Sequence, residues 1–182
     1  ALIYVAAYGG LRWGEIAALK IENLQLLRGV VVVRQSLSDI GGFRLGPPKS
    51  GKARTVSLPR SVCDIVSEHM RRFPSIDGIV FTAPEGGYLR RSNWYRRTFK
   101  PAVIQAGLNE RLRFHDLRHT AAALAIGQGA HPKAIQERLG HSSVRITLDR
   151  YGHLFPSADA ALAAALDAHA PAPPAAEVVA LG

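Results

Sequence analysis

Between Arg111 and His153 the sequence gathers a His-x-x-Arg pair, His115 and Arg118, then an isolated histidine, His141, and a tyrosine, Tyr151. Side chains of these types can attack a phosphodiester. Phosphoryl transfer needs cations that hold and neutralise the non-bridging oxygens, a nucleophile with a base, and an acid for the leaving oxygen. Arginine suits the first task, because its planar fork bonds two phosphate oxygens and stays charged at any working pH. Another arginine, Arg12, follows Gly9-Gly10 near the chain start and opens the apolar segment WGEIAAL. Glu15, three residues on, either holds that guanidinium or makes an ordinary surface ion pair. A free phenol has a pKa of about 10 and is almost wholly protonated at neutral pH, so Tyr151 needs a base. His115 is the expected one.

Local patterns say which elements carry these residues. Leu117, Ala121 and Leu124 keep helical spacing, so His115 and Arg118 share one face. Leu139-Gly140 reads as a helix stop, with His141 in the turn and Ser142 or Ser143 capping a new helix that carries Thr147 and Tyr151 one turn apart. Residues 1–8 and 14–20 read as helices separated by the Gly9-Gly10 turn that presents Arg12. From Arg28 to Leu58 the runs RGVVVVRQSL, GFRLG and ARTVSLP predict one small antiparallel meander, with PPKSGK as the hairpin tip between its last two strands. That tip offers Lys49 and Lys52, either of which can protonate a departing 5′ oxygen.

Further along, Ser61 is expected to cap a helix reaching Arg72, and GIVFTA reads as a short strand. Ser92 is expected to cap a helix with Tyr95, Phe99, Val103 and Ala106 on one face, its aromatics in the core, and Arg96, Arg97 and Lys100 elsewhere, the arginines either contacting backbone phosphates or forming a solvated face. The segment AIGQGAHPKAIQERLGH has the layout of a helix-turn-helix and is read as the unit that carries His141. His115 and His119 stand at metal-ligand spacing, but the residues around them do not form a zinc-protease helix. His119 is read as a hydrogen-bonded supporting residue, and no metal is expected. His131 and His153 receive no role.

Composition sets outer limits. The 182 residues, 47% of them hydrophobic, suffice for one well-buried domain. No apolar run approaches the roughly 18 residues of a membrane span. A lone Cys63 cannot form an internal disulfide and no cleavable leader opens the chain, so a cytoplasmic protein is expected. Lys and Arg number 23 against 14 Asp and Glu, a net charge of +9, which suits a polyanionic partner, nucleic acid first.

Arg12 in G-L-R-x-G-E, Lys49 in P-K-S-G-K-A-R, His115 and Arg118 in H-D-L-R-H-T, His141 in L-G-H-S-S and Tyr151 in T-L-D-R-Y-G-H together resemble the catalytic domain of a tyrosine recombinase, the phage integrase family. The resemblance covers residues 1–156. It implies a mainly α fold with a small antiparallel β-sheet (α+β). It also implies a site-specific recombinase that integrates or excises phage or mobile-element DNA through a 3′-phosphotyrosine, with no cofactor, no metal and no ATP. In that pattern Arg12 and Arg118 clamp the phosphate, His141 donates a hydrogen bond to it, Lys49 rather than Lys52 is the acid, and Tyr151 is the nucleophile. The implied partners are double-stranded DNA and, through the C-terminal tail 157–182, further copies in a homotetramer. That tail reads as a short Ala-rich helix followed by a flexible end. Because the family carries a preceding DNA-clamping domain with no counterpart here, the chain is expected to be a fragment. A topoisomerase or telomere resolvase shares the chemistry, whereas a non-catalytic helix-turn-helix regulator would need neither Tyr151 nor the full residue set.

Overall fold

The structure, a computed structural model, describes residues 1–156 and 159–167. Helix α1 (Leu2–Gly9) stops at Gly10, whose φ of 68° lies in the left-handed region and whose N–H returns to the Ala6 carbonyl. The chain leaves this turn extended at Arg12 and immediately enters α2 (Trp13–Ala17). This helix is shorter than expected, because Lys20 is already extended and bridges Ile79.

Five short strands follow: β1 (Leu24–Gln25), β2 (Val30–Val33), β3 (Ser36–Ser38), β4 (Arg44–Gly46) and β5 (Arg54–Ser57). They do not form one meander. Antiparallel pairing gives a sheet of order β1-β2-β5 and a separate β3–β4 hairpin. The reason lies in what each strand buries. Val31, Val33 and Val56 turn one face of the larger sheet into the core, whereas Leu37 of β3 packs on Ala17 of α2 and on Ala18, the residue that ends it. Residues 47–53, with Lys49, therefore join two sheets, and the expected hairpin between the last two strands is absent.

Two helix starts differ from expectation. Helix α3 (Arg60–Arg72) begins after Pro59, two residues before the point Ser61 would mark as a cap. Helix α4 (Arg91–Trp94) begins after Arg90, and the Arg91 N–H is met by Asp39 Oδ2 at 2.8 Å, so a distant carboxylate caps it in place of Ser92. Pro101 has no N–H to return to the preceding turn, and the helix widens through a π segment, Tyr95–Phe99, before continuing as α5 (Lys100–Gln105). GIVFTA makes isolated bridges, Lys20 to Ile79 and Thr82 to Tyr88, and no strand.

The last helices are α6 (Asp116–Gly127), α7 (Pro132–Leu139), α8 (Val144–Tyr151) and α9 (Asp159–Asp167). His115 is the cap residue of α6, so it stands at the helix entrance, a turn before Arg118. Helix α9 falls within the expected Ala-rich helix; the expected flexible end lies outside the described residues. Among the described residues no helix is long and apolar enough to cross a membrane.

Besides the small Leu37 cluster, two larger apolar clusters hold these elements. The larger joins α1, α2, the three-stranded sheet and α3 to an aromatic group in which Trp13, Trp94, Phe99 and Phe114 meet with centroids 5.1–5.7 Å apart. Phe99 is fully buried, as its expected core role requires. Trp13 follows Arg12 and Phe114 precedes His115, and the edge-to-face contact of the two rings ties those two backbones together. The smaller cluster, Ala122, Ile126, Ile135, Leu139 and Tyr151, welds α6, α7 and α8.

At Gly10 a Cβ would stand 2.5 Å from Leu139 Cδ2, whereas one at Gly41, also left-handed at φ 66°, would meet nothing within 4 Å. Gly41→Ala should therefore cost about 1–2 kcal/mol of backbone strain. Gly10→Ala should cost roughly 1–3 kcal/mol more for overpacking. Urea midpoints that fall equally in the two variants would contradict this packing.

Candidate active site

The site is built on one carboxylate. Glu15 is 1% exposed. Its Oε2 accepts the Arg12 backbone N–H at 2.8 Å and its Oε1 the Arg12 guanidinium at 3.0 Å. From β5, Arg54 adds a bidentate pair, Nη1 to Oε1 and Nη2 to Oε2, both 2.8 Å. Burial alone would push this carboxyl up, but the Arg54 hydrogen bonds and charge, with those of Arg12, outweigh it and hold it below the usual carboxylate range. The i,i+3 contact that sequence left open between a holding role and a surface ion pair is thus a buried clasp.

The second anchor is the end of α7. A helix terminus leaves its last carbonyls without intrahelical partners and concentrates partial negative charge there. Three successive carbonyls are taken by three arginines: Arg138 O by Arg54 Nε at 2.9 Å, Leu139 O by Arg118 Nη2 at 2.5 Å, and Gly140 O by Arg12 Nη2 at 3.4 Å. Gly140 sits at φ 66°, and a Cβ there would lie 3.0 Å from Arg54 Cδ. Arg118 also donates to the Gly10 carbonyl, which the left-handed turn presents to it.

Arg118 is 3% exposed and has no carboxylate partner among the described residues. Burial, then the Arg12 charge, lowers its pKa to about 9, still well above neutrality. Three guanidinium groups against one buried carboxylate leave positive charge that calls for an anion from outside.

That charge faces a cleft of about 400 Å³. Of the six residues expected from sequence, Arg12, Lys49, His115, Arg118 and His141 line it, together with Arg150. Tyr151 does not; it is 3% exposed, in the core just behind. Its ring stacks on His141, centroids 6.5 Å apart and planes 14° from parallel. Its hydroxyl lies 2.9 Å from Nδ1 of His119, not of His115. His115 is exposed and touches the edge of the His119 ring at 5.3 Å between centroids. The chain thus places a different imidazole on the phenol from the one spacing suggested.

Electrostatics sort the protonation states. His141 is buried, and that burial, with the charges of Arg118 and Arg12 next, pulls its pKa to about 4. It is neutral at pH 7. Its Nδ1 lies 2.9 Å from Thr147 Oγ1, and with the threonine hydroxyl donating there, Nε2 carries the proton. Burial also lowers His115 and His119, helped in both by Arg150 and Arg118, and raises Tyr151. Among the described residues no cluster of three His, Cys, Asp or Glu could hold a metal ion.

Sequence reasoning missed Arg54 and Arg150; it expected His119 to be hydrogen-bonded, which it is, without naming Tyr151 as the partner. One signal for Arg54 was present: in the alternating run ARTVSLP it shares a register with the buried Val56. A guanidinium on an inward face demands an anion. Nothing in the local pattern marks Arg150.

The sequence profile described as the phage integrase family matches residues 1–157. The prophage phiRv2 integrase of Mycobacterium tuberculosis is 33% identical over 172 residues, 91% of this chain and 45% of that protein. The ICEBs1 integrase of Bacillus subtilis is 30% identical over 175 residues, 90% of this chain and 47% of its own. The chain therefore spans about half the length of these relatives. Among solved structures, the Tn1549 transposon integrase in complex with a circular intermediate DNA superposes with a TM-score of 0.73 at 20% identity, covering 91% of this chain and 57% of that one. A XerA recombinase does so at 0.67 and 24%, covering 92% and 56%.

Glu15→Gln keeps the size of the side chain and removes its charge, leaving buried cations facing one another. It should cost about 3–5 kcal/mol at pH 7. Because the folded carboxyl titrates below its ordinary value of 4.5, its stabilisation is fully present above that value and is lost as pH falls through the lower folded one. Chemical denaturation from pH 7 down to pH 3 should show a wild-type acid slope that flattens in Glu15→Gln. Parallel slopes would place the clasp outside the folding equilibrium.

Proposed function

The chain belongs to the phage integrase family, and on that footing we propose that it is the catalytic part of a site-specific recombinase. It cuts and rejoins double-stranded DNA at prophage or mobile-element junctions through a 3′-phosphotyrosine. The observation that carries the reading is Arg118: a buried guanidinium, held by two backbone carbonyls and no carboxylate among the described residues, at the floor of a cleft shared with Arg12, His115, His141 and Lys49. A phosphodiester supplies the missing anion.

In this reading Arg12 and Arg118 bond the non-bridging oxygens, and because both are fixed before substrate arrives they stabilise developing charge without reorganising. His141, neutral, donates from Nε2. His115 completes the cleft wall. Tyr151 gives its phenolic proton to a neighbouring imidazole as its Oη attacks phosphorus, the bond to the 5′ oxygen breaks, and Lys49 gives that oxygen its proton. The covalent ester keeps the energy of the broken bond, so rejoining needs no ATP. The guanidinium pair provides the charge that a divalent ion would otherwise bring. Lys49 is exposed on the segment between the two sheets. A regulator that only bound DNA would have no use for a buried phenol at the back of an arginine-lined cleft. The relatives' names and the DNA in the Tn1549 complex favour the same substrate. Assembly as a homotetramer on DNA through the tail, and action in a bacterial cytoplasm, complete the proposal.

The test is covalent trapping on a library of singly nicked duplexes randomised across the core, read as an adduct that survives boiling in detergent. Wild type should give an adduct mapping to Tyr151, and Tyr151→Phe should bind DNA and give none. Undiminished adduct from that variant sinks the proposal. Lys49→Ala should be slowed by about 10²–10⁴-fold on ordinary DNA and restored when sulfur replaces the bridging 5′ oxygen, which then leaves without a proton. Arg12→Ala and Arg118→Ala should gain nothing from sulfur, since their oxygens are unchanged. Rescue of Lys52→Ala instead would move the acid to that residue.

A further inference from the structure

We propose that His119 is the catalytic residue that takes the proton from Tyr151 during strand cleavage and returns it during rejoining. The assignment rests on the recombinase reading and adds a residue to it. Its basis is geometric. His119 Nδ1 is 2.9 Å from Tyr151 Oη, and among the described residues no other side chain is hydrogen-bonded to that oxygen. The two rings meet at 5.7 Å between centroids with planes 64° apart, so the imidazole is steered onto the hydroxyl rather than stacked beside it.

The other imidazoles are committed elsewhere. His141 covers the face of the phenol and its Nδ1 is engaged with Thr147. His115 lines the phosphate cleft and touches the far side of His119. His119 also sits directly after Arg118 in α6, so one helical turn delivers a clamp to the phosphate and a base to the nucleophile. Around it stand Arg118, Arg113, Asp116 and His115 from α6 and the segment before it, and Arg150 and Tyr151 from α8. Burial first, then the Arg150 charge, lowers the His119 pKa and so favours the neutral ring, against a smaller opposing effect of Asp116.

With its proton on Nε2, His119 offers the Nδ1 lone pair to the phenol. As the bond from Tyr151 Oη to phosphorus forms and the bond to the 5′ oxygen breaks, the phenolic proton moves to Nδ1 while Lys49 protonates the departing oxygen. His119 is then an imidazolium beside a phosphodiester anion. When a 5′ hydroxyl attacks the phosphotyrosine it gives its proton to the now neutral Lys49, the bond from phosphorus to Tyr151 Oη breaks, and the imidazolium protonates the leaving phenol, so amine and ring both return to their starting states. No other proton source is required.

The experiment replaces Tyr151 with 3,5-difluorotyrosine, a more acidic phenol that needs less help to lose its proton. The nicked duplex selected by wild type is the substrate. With ordinary tyrosine, His119→Ala and His119→Gln should form adduct about 10²–10⁴-fold more slowly than wild type. With difluorotyrosine both should recover most of that loss, and Lys49→Ala should recover none. His119→Gln keeps a hydrogen-bonding group of similar reach, so a purely structural loss would not be repaired by a more acidic phenol. Recovery confined to His115→Ala, or a wild-type rate in His119→Gln, overturns the assignment and leaves the recombinase reading intact. Absence of any wild-type adduct at Tyr151 removes the reading itself and this inference with it. In the free protein, ¹⁵N spectra should show His119 Nδ1 unprotonated, with a shift that changes in Tyr151→Phe; a proton resident on Nδ1 overturns the proposal without any DNA.

Discussion

The charge of Glu15 is the constraint on which the rest depends. Two like guanidinium groups about 4 Å apart at an effective dielectric constant near 20 repel by roughly 4 kcal/mol. Arg12 and Arg54 tolerate proximity because the same two carboxylate oxygens bind both. That shared anion fixes the start of α2 to the first residue of β5, and through Arg54 it fixes both to the end of α7. Elements separated by more than a hundred residues in the chain are thereby registered on one carboxyl group.

The same arginines serve stability and, in the proposed mechanism, chemistry. By meeting the last carbonyls of α7 they satisfy backbone groups that would otherwise be buried unpaired. In return the helix end holds each guanidinium in one orientation before any phosphate arrives. Gly10 joins the two functions: its left-handed turn is a packing necessity against Leu139, and its carbonyl is half of the cradle for Arg118. A fold that left these arginines in water would have to order them at the moment of binding.

The sequence made the local part of this legible. Arg12 and Glu15 are three residues apart, His115 and Arg118 likewise, and the stop at Leu139-Gly140 is written in one dipeptide; helical geometry alone brings such neighbours together. What was not legible required knowing which distant surface meets which. Strand-like alternation in residues 28–58 cannot say that β2 pairs with β5 while β3 turns away to cover α2. The cap of α4 comes from Asp39, more than fifty residues upstream, and no pattern around Ser92 reveals it. His115 and His119 lie on one face at helical spacing, and only the packing of α8 against α6 decides which of them Tyr151 reaches.

The separation of the two sheets has a consequence for how such an enzyme can be tuned. Lys49 rides on a span whose ends belong to different sheets, so no ladder of backbone hydrogen bonds sets its height above the cleft. Lengthening a connection of this kind costs little, about 0.6 kcal/mol for each doubling. On the proposed assignment of Lys49 as the acid, grip and release are mechanically independent: the arginine cradle is bolted to Glu15 and α7, while the reach of Lys49 is a matter of tether length. Directed evolution could vary insertions in residues 47–53 to change how fast a strand lets go without altering how firmly its phosphate is held.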